Sequence, residues 1–311
     1  MQTILGAGGA IGTELAKALP QYTDTIRLVS RNPEKVNESD VTYSADLMDS
    51  EAVKKAVSGS DICYLTVGLK YDKKVWRRSW PVIMKNVIDA CEEHGSKLVF
   101  FDNVYLYDPD HLNPMTEETP VNPSSEKGKV RAEIVKMLWD AAEENRITAL
   151  VARSADFYGP GFEKPLSILI ETVFKPLNQG STANWLGGDS FKHSFTYTPD
   201  AGKATALLGN TPEAFGKSWH LPTASNPYTG KEWVEEIAEA MNQKPKYRTV
   251  STLIVRLMGL FMPIMRENVE MMYQYDRDYV FNSDKFEEKF NMQPTPYEEG
   301  IRNVIETDFQ S

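Results

Sequence analysis

The string Gly6-Ala7-Gly8-Gly9-Ala10-Ile11-Gly12 constrains this chain more than any other feature. It follows a short apolar run at residues 3–5 and opens a helical pattern at 11–18. Glycine is needed where a strand turns sharply into a helix, where backbone approaches a pyrophosphate, and where the helix packs on the strand. The unpaired N–H groups and the dipole of such a helix then face an anion. Glycines alone say little in a chain that has 19 of them. Strand, turn and helix in that order make a dinucleotide site the expectation, and a tight turn without a ligand the bland alternative.

The first half alternates short apolar runs with longer amphipathic patterns. Strands are expected at 3–5, 25–29, 62–67, 97–101 and 148–152, and helices at 11–18, 50–57, 80–94 and 129–145. Strands that are apolar throughout suit a parallel sheet covered on both faces, and the helices supply its crossovers. After Arg153 the texture becomes punctuated, with Gly159-Pro160-Gly161, Pro165, Pro176 and Gly187-Gly188. A strand at 193–197, a helix at 201–208, a strand at 218–221, a helix at 230–241 and a Met-rich helical section at 253–275 follow. The expected fold class is α/β, a doubly wound parallel-sheet Rossmann fold with a smaller carboxyl-terminal α/β substrate lobe. The expected division assigns 1–156, with about 190–210, to the nucleotide domain, and 157–189 with about 211–311 to the lobe.

Charge narrows the function classes. With 34 basic and 44 acidic residues the 311-residue chain carries a net −10, which argues against nucleic acid or anionic lipid as a partner. Two cysteines, Cys63 and Cys91, and four histidines show no metal-ligand spacing, so no metal is expected. No basic and apolar leader precedes Thr3, and the apolar stretch 252–265 is interrupted by Arg256 and is short for a bilayer. A reduced, cytoplasmic protein without a membrane partner is the expectation.

Gly6, Gly9 and Gly12 read as GxxGxxG, and Asp46-Leu47 follows the third segment. Arg153 runs into Tyr158-Gly159-Pro160-Gly161, and 195–200 forms a strand ending in Asp200. Over almost the whole chain this pattern resembles the extended short-chain dehydrogenase/reductases of the NAD-dependent epimerase/dehydratase type. The resemblance implies that Gly6, Gly9, Ala10, Ile11, Gly12, Asp46 and Leu47 contact the nucleotide. It implies that the 66–70 segment, with Gly68 and Lys70, lies at the nicotinamide half, and that Asn86 is the helix asparagine of the family.

NAD enzymes usually carry an acid at the end of the second strand. Here that strand ends in Ser30-Arg31-Asn32, with no acid before Glu34. Serine and a guanidinium fork suit a 2′-phosphate that a carboxylate would repel, so NADP is the preferred cofactor and NAD the alternative.

The same resemblance implies a Ser/Thr, Tyr and Lys set, in which lysine binds ribose and lowers the phenol pKa. Lys129 and Glu133 fall on the family's KxxxE pair, but Ser125 stands at the tyrosine position and Asn103 at the Ser/Thr position. Three readings follow. Another tyrosine donates the proton, Tyr105 first and Tyr158 second, with Tyr107 structural and Asn103 orienting a carbonyl. Alternatively the protein senses NADP(H) without catalysis. Or it is a nucleotide-sugar epimerase or dehydratase using Asp102 or Glu126. Lys129 and Glu133 also fit a plain surface pair.

For the substrate, a small molecule, the later chain offers Phe157, Tyr158, Phe162, Trp185, His193, Trp219, His220 and the Met-rich 258–272 stretch. Each fits a core position equally well by spacing, and basic groups such as Lys164 do not converge in sequence. Apolar residues on more than one side of the 80–94 helix fit either a homodimer or a monomeric core.

Overall fold

The computed structural model describes residues 1–161 and 167–309. The first stretch of chain forms β1 (Gln2–Leu5), α1 (Ala10–Ala18), β2 (Ile26–Ser30), β3 (Val41–Ser44), α2 (Ser50–Val57) and β4 (Ile62–Leu65). It continues through α3 (Lys73–His94), β5 (Lys97–Asn103), α4 (Glu126–Glu143) and β6 (Ala149–Ser154). Then come β7 (Asp156–Tyr158), α5 (Lys175–Asn178), β8 (Ala183–Leu186), β9 (Phe195–Tyr197), α6 (Thr198–Gly209) and β10 (Ser218–His220). The remainder forms α7 (Gly230–Ala240), β11 (Tyr247–Val250), α8 (Thr252–Met258), α9 (Pro263–Asn268), α10 (Asp284–Phe290) and α11 (Tyr297–Asp308).

Seven strands make one sheet in the order β10-β6-β5-β4-β1-β2-β3, and every neighbouring pair is parallel. The chain winds outward from β1 through β2 and β3, then returns to lay β4 on the other side of β1. Ligands of open α/β sheets bind where strand order reverses, at the carboxyl ends of the strands. The glycine string leaves β1 and the 66–70 segment leaves β4, so both sit at that point. The expected Rossmann sheet is therefore present, with two strands the sequence pattern did not place in it.

One is β3, whose Val41-Thr42-Tyr43-Ser44 is mostly exposed at the sheet edge and carries no apolar run. The other is β10, expected in the smaller lobe.

The compact units are residues 1–106, 126–154 and 199–221, and residues 107–125, 155–198 and 222 onward. This corrects the expected division at four places, the first being that residues 155–156 fall in the second unit. Residues 211–221 belong to the sheet because β10 pairs with β6. Residues 190–198 belong to the second unit, where β9 pairs with β7. Residues 107–125 join them, with Met115 N–H bonded to the Val280 carbonyl. Helix α6 stays with the sheet through two glycines seven residues apart. A Cβ on Gly202 would meet Glu14 of α1 at 2.6 Å, and one on Gly209 would meet the Tyr64 hydroxyl at 2.3 Å.

Helix α3 starts seven residues before its expected start. Asp72 caps it by accepting the N–H groups of Lys74 and Val75, and Trp76 is buried among exposed basic neighbours. Of the apolar residues on this helix, Trp80, Ile83, Met84, Val87 and Ile88 are buried and Val82 is exposed. The second unit is built on an aromatic core of Tyr158, Phe174, Trp185, Phe195, Trp233 and Tyr297. Its expected Met-rich helix is broken at Gly259 and Pro263 into α8, α9 and a 3-10 turn over Val269–Gln274.

Candidate functional site

The glycines of the first loop have separate reasons. Gly6 has φ +105°, and a Cβ there would lie 2.4 Å from the backbone N and Cα of Val67. The turn and the close approach of the β4 end both require it. At Gly12 a Cβ would meet the Gly6 carbonyl oxygen at 3.0 Å and Thr66 Oγ1 at 3.2 Å, which sets how closely α1 descends on the turn. Gly8, at φ +86°, has nothing within 4 Å of where a Cβ would be. Gly9 caps α1 with no side-chain hydrogen bond, and the first turn holds no acid. Ala10 and Ile11 are buried beneath. Open space over an uncapped helix amino terminus fits a pyrophosphate, so these residues suit a dinucleotide.

Around this cradle, β2 ends at Ser30 beside Ser44, whose hydroxyl donates to the Arg31 carbonyl at 2.8 Å. The Arg31 side chain is exposed. Asp46 is exposed and accepts the Met48 N–H, while Leu47 is buried. Asn86 is buried and donates to the Leu47 carbonyl at 2.9 Å, so it fixes the loop backbone. Gly68 and Lys70 are exposed beyond β4, and the Lys70 carbonyl accepts the Trp76 indole N–H.

At the carboxyl end of β5, Asn103 accepts the Tyr105 N–H with its side-chain oxygen, an Asx turn that aims the following loop. The Tyr105 ring stacks on Trp76 at 6.2 Å and stays half-buried. Beneath, Asp102 is fully buried between two guanidiniums, bound by Arg131 through Oδ1 and by Arg153 through Oδ2 at 3.0 Å. Arg131 lies 4.5 Å from the Trp80 ring and 4.8 Å from that of Phe100. A carboxylate held this way is structural, which removes it as an acid for rearranged chemistry.

On α4, Lys129 is 59% exposed and pairs with Glu126 at 2.8 Å. Glu126 also binds Arg77, and the Lys129 hydrogen bond and charge hold its carboxyl below the ordinary range. An ionised Glu126 is a poor proton donor. Lys127, by contrast, is fully buried, its ammonium 4.4 Å from the Tyr71 ring centre.

The sequence profile of the NAD-dependent epimerase/dehydratase family matches residues 3–221, ending on the last residue of the first unit. The chain belongs to that family. Cinnamoyl-CoA reductase 1 of Petunia hybrida is 28% identical over 239 residues, 69% of this chain and 70% of that protein. The uncharacterized protein y4nG of Sinorhizobium fredii is 23% identical over 212 residues. The match takes in 67% of this chain but only 52%, about half, of that relative's length. Among solved structures, UDP-glucuronic acid 4-epimerase from Bacillus cereus in complex with NAD superimposes with a TM-score of 0.80. That likeness covers 99% of this chain and 98% of the other at 13% identity, and so speaks for the fold.

The family's usual phenol position is Ser125 here, and the second unit brings a tyrosine to it. The Tyr273 side chain is hydrogen-bonded with the Ser125 hydroxyl, and Ser125 is buried. Burial pushes the Tyr273 phenol above its ordinary value, the Ser125 bond opposes this, and the charges of Asp156 and Glu270 add to it. Sequence reasoning missed Tyr273 because it lies far along the chain in a Met-rich run. It missed Lys127 too, although Lys127 falls four residues before Arg131 on the buried stripe of Val130, Ile134 and Leu138.

The expected substrate residues of the second unit are mostly core. Tyr158 is fully buried, packed on Trp233 and Tyr297, and a Cβ on Gly300 would meet its hydroxyl at 2.1 Å. Trp185 is buried, with its indole N–H donating to the Gly188 carbonyl. His193 is sandwiched between Tyr275 at 4.6 Å and Tyr279 at 4.3 Å, its Nε2 bonded to Asp156 at 3.1 Å. Trp219 and His220, which β10 places in the first unit, are buried, and Phe157 is half-buried. Phe162 and Lys164 lie outside the described residues. Among the described residues no group of three His, Cys, Asp or Glu is placed to hold a metal.

Proposed function

We propose that this member of the family is an NADP(H)-dependent oxidoreductase acting on a carbonyl or alcohol of a small molecule. The carrying observation is the end of β2, where Ser30 and an exposed Arg31 stand in place of an acid, beside the open helix terminus of α1. The reductase relative from Petunia hybrida supports the reaction class. A nucleotide held by the 6–12 loop would supply hydride chemistry at the substrate carbon. The 6–12 loop receives its pyrophosphate and Arg31 forks onto a 2′-phosphate. Lys129, exposed and held only by a surface pair, exchanges Glu126 for the ribose hydroxyls. Asn103 donates its amide N–H to the substrate oxygen, and Tyr105 gives that oxygen its proton on reduction.

Fluorescence titration of the purified protein with NADPH and NADH tests the reading. NADPH is expected to bind at least about tenfold more tightly, equivalent to about 1.4 kcal/mol. Arg31→Asp should abolish that preference, and equal affinity for both nucleotides in the unmodified protein overturns it. The solved epimerase with NAD favours one other reading, a nucleotide-sugar epimerase. Protein that purifies already loaded with NAD would bring that reading forward.

A further inference from the structure

Helices α8 and α9 are apolar on both faces. Inward, Val255 is buried with Leu186, Val250, Met272 and Tyr275, and Met258, Met265 and Val269 pack against that cluster. Outward, Leu253, Ile254, Leu257, Leu260, Phe261, Met262 and Ile264 are exposed, Leu260 by 75% and Phe261 by 87%. They account for seven of the twelve large hydrophobic side chains exposed among the described residues, all within one short segment. Isolated exposed leucines are ordinary, but a contiguous run marks a binding surface.

Charge identifies the occupant. No acid occurs between Glu239 and Glu267, while Lys244, Lys246, Arg248, Arg256 and Arg266 fall in that interval, all exposed. Arg256 and Arg266 lie within the most exposed apolar segment, and Lys244, Lys246 and Arg248 precede it in the chain with no acid among them. We infer that the α8–α9 face docks on an anionic lipid surface, with Leu257, Leu260 and Phe261 entering the interface and the basic side chains at the headgroup level. Leucine and phenylalanine beside snorkelling arginines are the composition of helices that lie in the membrane plane. Anionic headgroups would neutralise Arg256 and Arg266, which lie within the exposed apolar segment. Each helix is far too short to cross the hydrocarbon, so the contact is peripheral. The net charge that argued against lipid conceals this segment, because charge at the contact governs binding within a Debye length of about 8 Å.

Sedimentation of the full chain with vesicles tests the inference. Vesicles of phosphatidylcholine alone are compared with vesicles in which about a third of the lipid is phosphatidylglycerol. The unmodified protein should pellet with the anionic vesicles and remain in solution with the neutral ones. Leu260→Asp with Phe261→Asp should weaken binding more than tenfold, and Arg256→Glu with Arg266→Glu about tenfold. These side chains are exposed, so thermal unfolding and NADPH titration of the variants should match the unmodified protein and exclude misfolding. Failure to pellet with anionic vesicles overturns the inference, as does binding that the aspartates leave unchanged. Self-association that the aspartates abolish, without vesicle binding, overturns it in favour of a second copy.

Discussion

Replacing Gly6 by alanine separates the two demands made on the first loop. At φ +105° an alanine suffers backbone strain on the order of 1–3 kcal/mol. Its Cβ would also stand 2.4 Å from the N and Cα of Val67 and 2.9 Å from the carbonyl carbon of Thr66. Carbon contacts settle near about 3.5–4.0 Å, so the end of β4 must retreat by about an ångström or more. Forcing extra volume into packed structure costs about 1–3 kcal/mol. Together the destabilisation is about 2–6 kcal/mol, a large part of a total stability of about 5–15 kcal/mol. Gly8→Ala is the control. Its φ of +86° carries strain, but nothing lies within 4 Å of the new methyl, so only the conformational part applies, about 1–2 kcal/mol. That methyl stands in the loop that leads into α1, and NADPH affinity should fall while the fold persists. Urea unfolding followed by circular dichroism, with NADPH titration of each folded variant, reads both effects. If Gly6→Ala destabilises no more than Gly8→Ala, the close-approach argument is wrong.

Three further outcomes are expected. Tyr105→Phe should reduce turnover at least about a hundredfold with NADPH affinity unchanged, and turnover kept within about threefold removes Tyr105 as the donor. Asp102→Ala leaves two buried guanidiniums uncompensated and should destabilise by about 3–5 kcal/mol in urea unfolding, and adding Arg131→Met should restore part of the loss. The Asp72 carboxyl is held below its ordinary 3.8 by the N–H groups of Val75 and Lys74. A lowered folded-state value stabilises above 3.8 and fades as pH falls through it. The urea midpoint lost in Asp72→Ala should therefore be greatest above 3.8 and shrink as pH falls below it through the lower folded-state value.

The sheet was legible where burial is symmetric. β1, β4 and β6 are buried along their whole length and read as apolar runs. The bounds of α2 were readable to the residue, because Asp49 caps it with bonds to the Glu51 and Ala52 N–H groups. Edge strand β3 was not readable, since half-solvated Val-Thr-Tyr-Ser resembles a loop. The division of the chain was the least readable feature. Which unit owns 107–125 or 211–221 depends on pairings such as β10 with β6, and local composition carries no trace of them. At the site, glycines dictated by backbone geometry were found from spacing, whereas Tyr273 reaches Ser125 only through the fold.

Residue type misled most where polar side chains serve packing. Asp156 accepts hydrogen bonds from His193 and Tyr275 on one oxygen, and its own N–H donates to the Tyr279 hydroxyl. With His193 stacked between those two rings, the cluster is held by both hydrogen bonds and ring contacts. Substituting His193 would therefore disturb the second unit's core before it altered any substrate contact. The same holds for Asp102 and its two arginines in the first unit. The groups the fold leaves accessible are of another kind: Arg31, Lys70 and Lys129 are exposed, and Tyr105 half so, all in the unit that holds the glycine loop. These three exposed cations and the half-exposed phenol are the groups on which the proposed nucleotide binding and proton transfer rest. In this chain solvent access separates the residues able to do chemistry from those that only resemble it.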